Sequence, residues 1–218
     1  MFKDYIILKF LTSFLILIRV SEGGGKLMKH KSIFDTGFFE FLETEEEFIV
    51  NGETKLVKRD MVRRSPGVRA LIVDNGRILL SKEYRYELQK WDYRLPGGKV
   101  FDSLKEYKRA LENDTVLEAA EKTVRKEAKE EVGINIKNQT LFKISAAGAR
   151  VIWDLYYYEV TDYEIVEDGQ RLEENEFVEG FVWKTFDEIK EMCIKQEISE
   201  DRSVGVILTY ILKHEGKE

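Results

Sequence analysis

The chain reads as an α+β protein, and three observations carry that reading. Two turn signals, Asn51-Gly52 and Asp74-Asn75-Gly76, each join strand-like runs, and Asn-Gly is the strongest short-range hairpin signal. From 116 onward the apolar spacing becomes helical, with Val116, Ala120, Val124, Ala128 and Val132 four apart; that spacing lays one stripe against a core. Near the C-terminus Thr185 and Glu188 form a capping box for a further helix. The 218 residues suffice for one good-sized domain with a small appendage. A hydrophobic content of 43% suits a packed core.

Residues 5–18 form an apolar run broken by Lys9. It is shorter than the roughly 20 residues of a membrane span, and no small-residue cleavage site follows it. The expected native start is Met28, because Glu22-Gly23-Gly24-Gly25 ahead of it can be encoded by a purine-rich ribosome-binding site; a membrane anchor is the alternative. Residues 1–27 hold four basic and two acidic side chains, so a chain beginning at Met28 carries −8 where the full one carries −6. That charge argues against broad nucleic-acid binding. A single cysteine, Cys193, rules out an internal disulfide and fits a reducing, cytoplasmic setting. The two histidines, His30 and His214, are too few and too peripheral for a zinc site or a histidine-based triad.

Residues 28–64 form a β-rich piece, with short strands at Phe38–Leu42 and Glu47–Val50 and a returning strand at Glu53–Val62. About 35 residues cannot bury a core alone, so this piece needs the main domain or a partner subunit. The domain proper is expected over 65–218. Strands Val68–Val73 and Arg77–Lys82 lead to Glu83-Tyr84-Arg85-Tyr86, and then Trp91-Asp92-Tyr93-Arg94 runs into Leu95-Pro96-Gly97-Gly98. Paired glycines allow a tight loop that a ligand can approach closely. Beyond it, Ser103 and Glu106 are placed to cap a short helix with Leu104, Tyr107 and Leu111 on one face.

Thr115 and Glu118 pattern as the capping box of the next helix, and Gly133 stands where a glycine ends one. This helix carries Glu127, Glu130 and Glu131 at i, i+3 and i+4, so three carboxylates share a face. Two readings stand: a solvated acidic face, or a site where a hard cation such as Mg²⁺, or Mn²⁺, relieves the repulsion. Strands follow at Leu141–Ala147 and Val151–Val160, then a polar loop at Tyr163–Arg171. Glu173-Glu174-Asn175-Glu176 comes next, ahead of a strand at Phe177–Trp183. Helices to about Ile194 and from Glu200 to His214 close the chain.

The stretch Glu118, seven residues, then Lys126-Glu127-Ala128-Lys129-Glu130-Glu131-Val132-Gly133-Ile134 resembles the box of the Nudix hydrolases, G-x5-E-x7-R-E-U-x-E-E-x-G-U. It departs in two ways. Lys126 stands at the family's arginine, with Arg125 one place early. Nineteen residues separate Gly98 from Glu118 instead of five, so about fourteen are inserted, at about 101–114. The resemblance implies an α/β/α sandwich around a mixed sheet and Mg²⁺-dependent attack of water on a pyrophosphate. It implies metal ligation by Glu127, Glu130, Glu131 and the Gly97 carbonyl, with Glu118 orienting the helix through Lys126 and Glu130 also catalytic. The β piece and Glu-Tyr-Arg are similar to the branch acting on ADP-ribose and nucleoside-diphosphate sugars. That branch implies substrate contact by Arg85, a catalytic or metal-binding carboxylate at Glu174 or Glu176, and a homodimer. Arg94, just ahead of the glycine loop, is a second candidate for the substrate phosphates. The expected partner is a nucleotide-derived small molecule, with no nucleic acid and no membrane. A nucleoside-triphosphate pyrophosphatase and a non-catalytic nucleotide-sensing module remain the alternatives.

Overall fold

The computed structural model describes residues 5–7, 17–19, 26–166 and 178–215, with side chains from residue 30 onward. The chain divides into two compact units: Met1–Ser65 with Phe101–Val116 and Ala147–Trp153, and Pro66–Val100 with Leu117–Ala146 and Asp154–Glu218.

In the first unit, short strands β1 (Tyr5–Ile7) and β2 (Leu17–Arg19) pair antiparallel. Strands β3 (Lys26–Asp35), β4 (Phe39–Val50) and β5 (Glu53–Arg64) form an antiparallel ladder. β4 runs unbroken where the sequence suggests two short strands. The acidic run Glu43 to Glu47 looks like a break, but it lies opposite Asp60, Arg59, Lys58, Val57 and Leu56 on β5. An ion pair between Glu45 and Lys58 follows from that register; cross-strand pairs of opposite charge are favourable. The Asn51-Gly52 turn takes positive φ at both residues, 54° and 82°, as a type I′ turn requires.

The expected short helix is α1 (Leu104–Glu112). Ser103 caps it by accepting from the Glu106 N–H at 3.3 Å. It belongs to the first unit and buries Leu104, Tyr107 and Ala110; Ala110 takes the place expected for Leu111. Lys108 Nζ donates to Asp35 at 2.7 Å and to buried Glu40 at 2.6 Å, and Arg63 meets Glu40 from the other side at 3.3 Å.

The second unit holds an open mixed sheet. Strands β6 (Gly67–Asp74), β7 (Arg77–Arg85), β8 (Lys90–Arg94), β9 (Ile134–Gly148), β10 (Val151–Ile165) and β11 (Val178–Thr185) run in the order β11-β7-β6-β10, with β8 on β7 and β9 on β10. β10 is parallel to β6; β7 is antiparallel to β6, β8 and β11. β6 is buried from Gly67 to Val73, the signature of a strand covered on both faces. Helices α2 (Val116–Val132), α3 (Phe186–Ile194) and α4 (Asp201–His214) flank the sheet. The α2 stripe is buried at Ala120, Val124, Ala128 and Val132. Thr185 closes its capping box with Glu188.

The Thr115–Glu118 box does not close. The Thr115 N–H donates to the Ala110 carbonyl at 3.0 Å, and Glu118 accepts from Lys122 at 2.6 Å, one turn on. An i,i+4 Glu–Lys pair is itself favourable on a helix, so the side chain has a competing partner. Among the described residues no helix is long and apolar enough to cross a membrane.

Candidate active site

The loop Leu95-Pro96-Gly97-Gly98 is laid along β6 by backbone bonds. Ala70 N–H donates to the Pro96 carbonyl at 2.7 Å and Val68 N–H to the Gly98 carbonyl at 2.9 Å. Only glycine fits at 97: its φ is 151°, and a Cβ there would sit 2.2 Å from the Val68 carbonyl oxygen.

The acidic face of α2 closes over this loop. Glu131 Oε2 accepts from the Gly97 N–H at 2.7 Å. The Glu127 carboxyl carbon lies 2.7 Å from where a Cβ on Gly98 would be, so the carboxylate rests over that glycine. Glu83, on β7, joins them and accepts from Ser81 Oγ at 2.7 Å. Burial raises the Glu131 carboxyl well above the ordinary glutamate range, and the charges of Glu83 and Glu127 push the same way; the Gly97 N–H and Arg69 oppose them. Like charges crowded at a buried carboxyl disfavour ionisation.

The other candidates fall elsewhere. Glu130 is half-exposed, with Lys126 Nζ 3.2 Å away. Glu118 is exposed against Lys122, so the expected route from Glu118 through Lys126 is replaced by two separate pairs. Lys126 reaches along the helix to the next turn, four residues on. Arg125 faces away from the carboxylates and donates to the Ile136 carbonyl at 2.5 Å. Arg85 pairs with Glu87 and lies 3.6 Å from Glu83. Arg94 is nearly buried and donates to Glu200 at 2.8 Å, with Asp92 3.8 Å away. Its guanidinium is held in a protein network and does not stand open to solvent. Glu174 and Glu176 lie outside the described residues.

Sequence reasoning passed over Glu83, Arg69 and Glu200. Arg69 carried a signal: it is a charge within the apolar run Val68 to Val73, and a buried charge needs a partner. Glu83 stands in the Glu-Tyr-Arg element, where the sequence singles out only the arginine. Glu200 reads only as a helix start.

Among the described residues no three acidic, histidine or cysteine side chains already converge as a ligand cluster. The donors nevertheless fit a hard divalent cation. Glu131 and Glu127 lie at the glycine loop and Glu131 feels the charges of Glu83 and Glu127; carboxylate oxygens of this kind suit Mg²⁺ and Mn²⁺. Such a cation would relieve the repulsion that lifts Glu131.

The site is thus an acidic helix face laid over a glycine loop, on a mixed sheet between helices. The NUDIX domain family model matches residues 63–203, more than half of the chain, so the chain belongs to the Nudix family and is a Nudix hydrolase. Among solved structures, an ADP compounds hydrolase matches at 19% identity and a TM-score of 0.58, covering 97% of this chain and 100% of that one. A MutT Nudix hydrolase from Burkholderia pseudomallei matches at 26% identity and a TM-score of 0.39, covering 57% and 84%. No curated protein matches.

Proposed function

We propose that the protein hydrolyses the pyrophosphate bond of ADP-ribose or a nucleoside-diphosphate sugar, with Mg²⁺ (or Mn²⁺) bound, giving a nucleoside monophosphate and a sugar phosphate. The observation that carries this is the placing of two carboxylates of one helix, Glu131 on the Gly97 N–H and Glu127 against Gly98, with the charge of Glu83 acting on Glu131. Glu127, Glu131 and the Gly97 carbonyl would hold the cation, joined by Glu130 once it leaves Lys126 and by Glu176. When bound, the cation neutralises phosphate charge and acidifies a bound water. Glu130 and Glu174 are the candidates to take the water's proton. Glu118 is proposed to steady the first turns of α2 through Lys122. Arg85 supplies a guanidinium suited to phosphate oxygens, and Arg94 serves the same site by fixing the strand ahead of the loop.

The preference for a diphosphate with a second group rests on the β piece ahead of the domain and on Glu83-Tyr84-Arg85. The similarity to the ADP compounds hydrolase runs through that piece as well, since it covers nearly the whole chain. Residues 28–64 and the inserted segment are read as one accessory unit. Its exposed Phe34, Phe38, Phe39 and Phe41 suit cover by a second copy, and a homodimer in the cytoplasm is the proposed state.

The test is product release by the purified full chain with Mg²⁺ across ADP-ribose, nucleoside-diphosphate sugars and nucleoside triphosphates. Turnover of the diphosphate set, stopped by chelator, is expected; turnover of triphosphates alone overturns the substrate class. Glu130→Gln should lower kcat by roughly 10²–10⁴-fold, the usual worth of a proton-transfer group, with an unchanged circular dichroism spectrum. Near-normal kcat removes Glu130 from the chemistry.

A further inference from the structure

We infer that Glu200, at the start of α4, is a positioning residue for the glycine loop, acting through two arginines on the strands that hold the loop and lead into it. The inference deepens the proposed reaction, and its kinetic arm rests on that reading.

Glu200 is the N-cap residue of α4, but its side chain makes no cap bond. It turns instead toward the sheet. Arg69 Nε and Nη2 donate to its two oxygens at 2.9 and 2.8 Å, a bidentate grip. Arg94 Nη2 donates to the same carboxylate at 2.8 Å, and Ser203 Oγ donates as well. Burial alone would raise this carboxyl; Arg69 and Arg94 outweigh it and hold it down to about 2.

The two arginines frame the loop. Arg94 ends β8 directly before Leu95. Arg69 lies between Val68 and Ala70, whose N–H groups hold the Gly98 and Pro96 carbonyls. Arg69 Nη1 also donates to the Val68 carbonyl at 2.9 Å, the oxygen against which Gly97 is packed. One carboxylate therefore satisfies the strand under the loop and the strand leading into it. A second tie fixes the same helix end: fully buried Asp92 accepts from the Ser199 N–H at 2.8 Å and from its hydroxyl at 2.6 Å. Without the Glu200 charge, buried Arg69 loses its ion-pair partner and Arg94 keeps only the more distant Asp92. The strand under the loop and the strand leading into it lose their common tie, so the backbone bonds that hold the loop, and the Gly97 N–H it presents to Glu131, are held less firmly.

The experiment is hydrogen exchange by mass spectrometry on the full chain with Glu200→Gln and Glu200→Asp, with kcat and KM beside it. Ile211→Val, a core change on the same helix, is the control for general loosening. Glu200→Gln is expected to speed exchange over 95–99 and 67–71 at least tenfold while α1 keeps its protection, with Glu200→Asp partly restoring it. On the proposed substrates kcat should fall roughly 10–100-fold with KM within about threefold, as small misplacement of reacting groups does. Faster loop exchange in a protein that turns over none of the substrates supports the positioning role, and the proposed reaction is then what fails. Loop exchange unchanged in Glu200→Gln, or equally fast in Ile211→Val, overturns the role.

Discussion

Glu131→Gln is expected to lower kcat by more than about 100-fold while leaving the metal-free protein at least as stable as wild type at neutral pH. The first half follows from its place at the glycine loop, since even outer partners of metal ligands are worth roughly 10–100-fold. The second half follows from charge. Burial, Glu83 and Glu127 raise the folded-state value of Glu131 above its unfolded one. The folded protein then binds more protons than the unfolded chain, so stability is present at low pH and is lost as pH rises through the raised value. Glutamine carries no charge to desolvate and keeps an oxygen for the Gly97 N–H. Thermal melts in chelator should show the wild type losing stability as pH rises above the ordinary glutamate range, with a flatter profile for the variant. Mg²⁺ should raise Tm in the wild type and much less in Glu131→Gln. A variant that melts well below wild type in chelator would mean that Glu131 is a structural anchor and not a strained donor.

Gly97→Ala and Gly98→Ala, adjacent and chemically identical changes, should fail in different ways. At 97 a methyl group meets the Val68 carbonyl 2.2 Å away, with φ at 151°. Backbone must move, and strain of this kind with overpacking costs about 3–5 kcal/mol. At 98 the methyl meets only the end of the Glu127 side chain, at 2.7 Å. That side chain can swing aside, so the fold should persist with Tm within a few degrees while kcat collapses. Urea melts beside kcat separate the two. Equal stability of the two variants would contradict the close packing of Gly97 on β6.

The residues differ in how much of this they disclose alone. Helix α2 was legible because Val116 to Val132 repeat at a helical period, and its carboxylate face follows from spacing. The glycine loop was legible from Leu95-Pro96-Gly97-Gly98. The unbroken β4 was not, because its acidic middle is sustained by Arg59 and Lys58 on the neighbouring strand. The Thr115–Glu118 box was misleading because Lys122 offers Glu118 a closer partner. Arg69 and Glu200 are 131 residues apart, and no local pattern links two positions that only the fold brings together. Glu83 belongs with them: the carboxyl its charge acts on, Glu131, is on a helix more than forty residues away.

The segment between the glycine loop and α2 bears on the entropy of assembling the site. Gly98 and Glu118 are nineteen residues apart instead of the family's five, which about doubles the chain between Gly98 and Glu127. For a flexible loop, each doubling costs only about 0.6 kcal/mol of closure entropy. Here the added chain is not flexible throughout. It folds as α1, capped by Ser103 and tied through Lys108 to Asp35 and Glu40, so its ordering is offset by contacts outside the site. The chain between the two halves of the box can thus carry a helix of its own at little cost to the meeting of glycine loop and carboxylates.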